Sequence, residues 1–407
     1  AGQVTINAQR VRLTGASSIQ ASSGGGSGSA GDIVLNIGEM LEIGERRPTL
    51  ATYFFSLPDT TWPGGIMTLA SGTGDAGRIV VHAPRVLLDD GRILSTALGS
   101  GQGGRVEIRA GDLVMRNGAL IDARSAAGSS GNAGSIDIAL TGRLTIAGHS
   151  PIDGTFSGLY TQTQGSGLGG SVTLGAAQVD VADGGRIEAK STGTGNAGSI
   201  SIAATDALRI FGGAISSEAL QADGGNIDIR VGNLVHLRNS EITTAVGSGA
   251  GAGGNIFIDP TFVILENSKV TANAFGGPGG NIQIFAAYFL NTLDSLVDAS
   301  SAAGVPGTVS ISAPNTNQST QIKVLPAQFF DATQLVREAC AGRVGAGNGG
   351  GSSLVGVGRG GLAASPERFA TSTYFAATPA ATSNAAEPTG LKLVSTKHAR
   401  LAANCSG

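Results

Sequence analysis

The chain has 407 residues, a formal net charge of −3, 14% charged residues and only 4% aromatics. Its 66 glycines are about twice the usual share, yet 41% of residues are hydrophobic, so it can bury a core and is neither disordered nor collagen-like. Its basic residues are scattered, which argues against a nucleic-acid partner, and no apolar run reaches the ~20 residues of a membrane-spanning helix.

From the first residues onward the sequence repeats itself. Alternating triplets open at Val4-Thr5-Ile6 and Ile33-Val34-Leu35, and recur at Ile79, Val106, Ile136, Val172, Ile200, Ile227, Ile256, Ile282 and Val309. Eight of the ten steps between them lie between 26 and 30 residues; the other two are 46 and 36. The first and third positions are Val, Ile or Leu, and the middle one is mostly polar. Such period-2 alternation marks a strand with one buried face.

Two further short strands follow in each unit. The second is seen at Val11–Leu13, Leu144–Ile146 and Leu208–Ile210, the third at Ile19–Ala21, Ile121–Ala123 and Ile187–Ala189. A unit of ~28 residues cannot bury its apolar face alone, so neighbours must stack. The predicted fold is all-β: a right-handed parallel β-helix over residues 1–314, of about ten coils. Glycines at the coil corners answer a need for positive φ or close backbone approach. Asn132, Asn196, Asn226, Asn255 and Asn281 recur near the first strand and are expected to stack as amide ladders.

The two long steps predict excursions from the rod, at 44–72 and 148–166. The first carries Tyr53, Phe54, Phe55 and Trp62; the second carries His149, Phe156 and Tyr160. Insertions in solenoids often gather on the binding face, and exposed aromatics there could stack on sugar rings; equally, they could shield a sheet as a flap.

Between the excursions lie the best-placed acids. Glu107 and Asp137 occupy the outward middle position of adjacent coils, roughly 5 Å apart, and Asp122 lies on another face. That spacing suits a retaining glycosidase or a cation site. It also suits two solvated acids relieved by Arg105 and Arg109. His82, His149, His236 and His398 show no metal-ligand spacing, and no cofactor motif is present.

After Pro314 the repeat stops, and residues 315–407 read as a tail. PAQFFDATQLVREACA predicts a short helix at about 327–340. A glycine-rich linker, a GRGGL segment and an irregular Ala/Thr/Ser-rich end follow.

The closing stretches "LPAQFF…LVREACAGR" and "SSLVGVGRGGLAASPE", behind Gly-Asn-Ala-Gly-bounded coils and GLYTQTQGSGLGGSVTL, resemble the C-terminal part of filamentous-haemagglutinin-type large exoproteins. The closing motif departs from the family pattern after GRGGL, where a bulky apolar residue and a Pro are more usual. The resemblance implies a β-helical passenger of two-partner secretion, secreted or held at the bacterial cell surface. Its partner would be an outer-membrane barrel transporter, its role adhesion to host-cell or matrix glycans or proteins, or biofilm formation. The chain begins in mid-motif at AGQVTINAQR and is expected to belong to something longer. On this reading it is not an enzyme; the alternative is a β-helical polysaccharide lyase or glycoside hydrolase. Export would place Cys340 and Cys405 in an oxidising space. The resemblance implies that they pair and anchor the passenger; the bland alternative is two free thiols.

Overall fold

The computed structural model describes residues 1–44, 64–126 and 129–314. These lie in the first of two units, Ala1–Val324; the second, Leu325–Gly407, falls outside the described residues, and with it the predicted helix, linker and GRGGL segment.

Among the described residues there are 25 strands and no helix. The strands form two sheets, of 15 and ten strands, and they pair in parallel from coil to coil. Ten coils begin at Val4, Ile33, Ile79, Val106, Ile136, Val172, Ile200, Ile227, Ile256 and Ile282, and Thr308–Ser312 opens an eleventh. The period read from the sequence is therefore the rise of a β-solenoid, coil on coil.

The predicted first and second strands share the larger sheet. In six coils they run on as one long strand, as in Val4–Thr14 and Ser171–Ala182, with a register shift at Ala8/Arg10 and Ala176/Gln178. Where a Thr-Gly or Gly-Asn pair intervenes, the strand breaks, giving Ser135–Leu140 with Arg143–Ala147, and Ile227–Val231 with Leu234–Arg238. The third strands form the ten-stranded sheet.

Both excursions are shorter than the composition suggested. Gly65–Ala70, at the end of the first, is a strand of the ten-stranded sheet, paired with Ser18–Gln20 and Arg92–Ala97. Gly158–Tyr160, inside the second, pairs with Leu120–Asp122 and Arg186–Glu188. Among the described residues the rod is left only over about 149–157, between the second and third strands of its coil; residues 45–63 lie outside the described residues.

Inward positions stack as aliphatic columns. One runs Ile66, Ile93, Ile121, Leu159, Ile187, Ile215, Ile242 and Val270, each with no exposed surface. Full burial of such a side chain contributes about 1.5–3 kcal/mol. A single continuous hydrophobic core results, partly open at Val4, Ile6 and Ile19 in the first coil. Buried hydroxyls replace aliphatics in one column, where Thr68, Ser95, Ser217 and Thr244 donate to backbone carbonyls of the neighbouring corner.

Corner glycines answer both needs. Between the second and third strands, Asp90, Asn117, Asp183, Asn239 and Asn267 are left-handed at φ of 45–57°, with Gly15, Gly148 and Gly212 at equivalent places. On the corner before the first strands Gly25, Gly26 and Gly249 are left-handed too, but close approach dominates there. A Cβ on Gly198 would meet the Gly170 carbonyl oxygen at 1.6 Å, and one on Gly225 would meet that of Gly198 at 1.5 Å.

The asparagines likewise divide into two columns. Asn226, Asn255 and Asn281 form the expected ladder, with each Nδ2 donating to the preceding Oδ1 at 3.1 Å. Asn132 and Asn196 stand three residues earlier in their coils and accept from the backbone of Leu168 and Asp223 on the next coil.

Candidate functional site

Glu107 and Asp137 are direct neighbours in the parallel register, as their spacing predicted. Their surroundings decide what they can do. The Glu107 side chain is 7% exposed and lies among three arginines. Arg78, one coil before, donates to it; Arg109 Nη2 is 2.7 Å away and Arg105 Nε 4.0 Å. Arg105 also reaches Asp137 at 2.9 Å. The hydrogen bond from Arg78 holds the Glu107 carboxyl below its ordinary value; burial works the other way and loses. A general acid needs its proton near neutral pH, so Glu107 is poorly suited to that task. Arg105 and Arg109 were legible beside Glu107 in sequence; Arg78 is 29 residues away and enters only through the stacking.

A second cluster covers the outer face of the ten-stranded sheet beside the second excursion. Asp122, Tyr160 and Glu188 form one outward column on three successive coils. Asp122 is 1% exposed; it pairs with Arg124, and its Oδ1 has no hydrogen-bond partner among the described residues. Arg186 pairs with Glu188 at 3.2 Å, and Lys190 lies 3.3 Å from Glu188 and 3.0 Å from Glu218. Burial alone would lower the Lys190 ammonium, but the two glutamates outweigh it and the net direction is upward. Burial first, then the charge of Glu188, drives the Tyr160 phenol far above its ordinary value. It stays a neutral donor, bonded to the Phe156 carbonyl at 3.2 Å.

The excursion is pinned onto this face. Arg186 lies over the Phe156 ring at 4.4 Å, and Asp153 pairs with the buried Arg92 at 3.1 Å. Gly158 leaves room for the Tyr160 ring, since a Cβ there would stand 2.7 Å from it. Asp122 and Glu188 were readable as one column from their third strands. Tyr160 was not, because its strand was taken for part of the excursion.

The remaining expected residues divide by location. Tyr53, Phe54, Phe55, Trp62, Cys340, Cys405 and His398 lie outside the described residues. His82 meets Asn36 at 3.2 Å at the end of a column that starts at Asn7, His149 packs edge-on to Phe156, and His236 packs edge-on to Phe211. Among the described residues no three His, Cys, Asp or Glu are grouped to hold a metal ion. Unforeseen aromatic pairs decorate the late coils: Phe262 stacks on Tyr288 at 4.8 Å, and Phe257 tilts against Phe285 at 5.7 Å. No protein family, curated protein or solved structure matches this chain.

Proposed function

We propose that the chain is a non-catalytic structural and adhesive rod. It would be a section of a haemagglutinin-like exoprotein, carried out by an outer-membrane barrel transporter and displayed or released at the bacterial surface. The observation that carries this reading is the state of Glu107. The carboxylate best placed for chemistry is saturated by Arg78, Arg105 and Arg109, a neutralised acid in an otherwise regular stack.

The competing reading, a carbohydrate-active enzyme, has one observation in its favour. Asp122 and Glu188 stand two coils apart, about 9.6 Å between backbones, close to the upper limit of the ~6.5–9.5 Å carboxyl separation of an inverting glycosidase. Arg124 and Arg186 with Lys190 already engage them.

Two measurements on the full chain separate the readings. Beads coated with it should adhere to epithelial cells or extracellular matrix. Incubation with neutral and acidic polysaccharides should release no new reducing ends or unsaturated sugars. Turnover abolished by Glu107→Gln or Asp122→Asn would overturn the rod in favour of the enzyme.

A further inference from the structure

An open groove runs along the rod on the corner that precedes the first strands. It extends over seven successive corners, from Asp32 to Asn226, and holds about 920 Å³. At ~4.8 Å per coil its length is about 29 Å. Its floor is bare backbone, because the stacked glycines, Gly198 and Gly225 among them, tolerate no Cβ.

The two rims differ. On one, the side chains are consumed by the fold: Asp75 accepts from the Gln102 amide at 2.8 Å, Asn132 from Leu168 at 2.8 Å and Asp223 from Ala252 at 2.9 Å. On the other, Ser135, Ser171 and Ser199 follow one another in register. None of these three hydroxyls has a partner among the described residues. Elsewhere in the same column Asp32 accepts from the Arg78 amide, and Asn226, Asn255, Asn281 and Thr308 bond in series. Within this column, the three serines with unused hydroxyls all line the groove.

We propose that this groove binds a linear, uncharged, hydroxyl-rich polysaccharide lying parallel to the rod axis. The inference deepens the adhesive reading above and rests on it. Spacing selects the ligand class. The hydroxyls repeat at ~4.8 Å, close to the length of one extended pyranose unit; an extended peptide presents like side chains every ~6.7 Å and falls out of step. Charge selects within the class. Asp32, Asp75 and Asp223 line the groove against Arg78 and Arg105, and those two arginines are already paired with Glu107 and Asp137. The groove thus offers no field to attract a sulfated glycan or a phosphate backbone.

Native-gel retardation of the full chain by konjac glucomannan and by hydroxyethylcellulose tests this, with heparin as the charged counterpart. Both neutral polymers should retard the chain, and heparin should not. Ser171→Ile and, separately, Ser199→Ile, which remove the hydroxyl and add bulk without a ring to stack on sugar, should weaken retardation at least tenfold while leaving thermal unfolding in place. Thr205→Ile, exposed in the strand Ser199–Phe211 outside the groove, should bind as the parent does. Absence of retardation by either neutral polymer overturns the proposal. So do a preference for heparin and unchanged retardation in both serine variants. Retardation that both serine variants lose supports the groove whether or not coated beads adhere. Adhesion that survives both substitutions, with neutral-polymer binding intact, removes the groove and leaves the adhesive rod standing.

Discussion

Arg78 and Glu107 stand on neighbouring coils, and the Arg78 guanidinium donates to a carboxylate that is 7% exposed. Glu107→Gln is expected to cost about 1.5–3 kcal/mol at neutral pH, the usual range for a hydrogen bond between charged groups. The folded carboxyl titrates below its unfolded value, so its stabilisation is complete above that value, ~4.3 for a free Glu. It is lost as pH falls through the lowered folded value. Thermal unfolding at pH 7 and pH 3 checks the sign: the gap between the two should narrow in Glu107→Gln.

Gly198→Ala should cost more than about 3 kcal/mol, because its Cβ meets the Gly170 carbonyl oxygen at 1.6 Å and the coils must part. Gly175→Ala is the counterpart. Its nearest neighbour would be at 4.0 Å and its φ is not positive, so it should be neutral or stabilise by about 0.4–1 kcal/mol. Denaturant unfolding of the two variants makes the comparison; equal destabilisation would contradict the stacking at this corner.

Ile200, 1% exposed, points into the core, and Ser201 points out. Ile200→Ala should cost about 2–4 kcal/mol, through lost burial and the cavity left behind. Ser201→Thr should lie within about 0.5 kcal/mol of the parent. The same unfolding measurement reads both, and a reversal of the order would break the register assigned to Ser199–Phe211.

Phe262 and Tyr288 lie nearly parallel, with 9° between ring planes. A double-mutant cycle of Phe262→Leu and Tyr288→Leu should return a coupling of about 0.5–1.5 kcal/mol. A coupling near zero would mean that the rings are merely adjacent.

The rod was legible because each inward column repeats a chemical choice every ~28 residues; Ile200 and Ile227 fall into place from alternation alone. Strand limits near the excursions were not. Gly65–Ala70 and Gly158–Tyr160 lack the apolar-polar-Ala pattern of Ile121–Ala123 and Ile187–Ala189, so alternation alone did not mark them. The asparagines misled as a single set, because Asn196 and Asn226 occupy positions three residues apart in the coil and bond to different things. Arg78 illustrates the general limit: its meeting with Glu107 exists only once the register does, and no local pattern announces it.

The hydrogen bonds between strands of both sheets all run along the rod axis, coil to coil. Tension along the axis therefore loads them in the direction in which they separate, one rung after another, whereas shear across a sheet would load a whole rung at once. A chain drawn out from its ends should yield by peeling, one coil per event. Each event would release about 95 Å of contour for a 28-residue turn. Force spectroscopy should record a sawtooth of nearly equal steps, lengthened at the coil that contains residues 45–63. Such a rod gives way gradually under load instead of snapping, so that an attachment held through it would stretch before it failed.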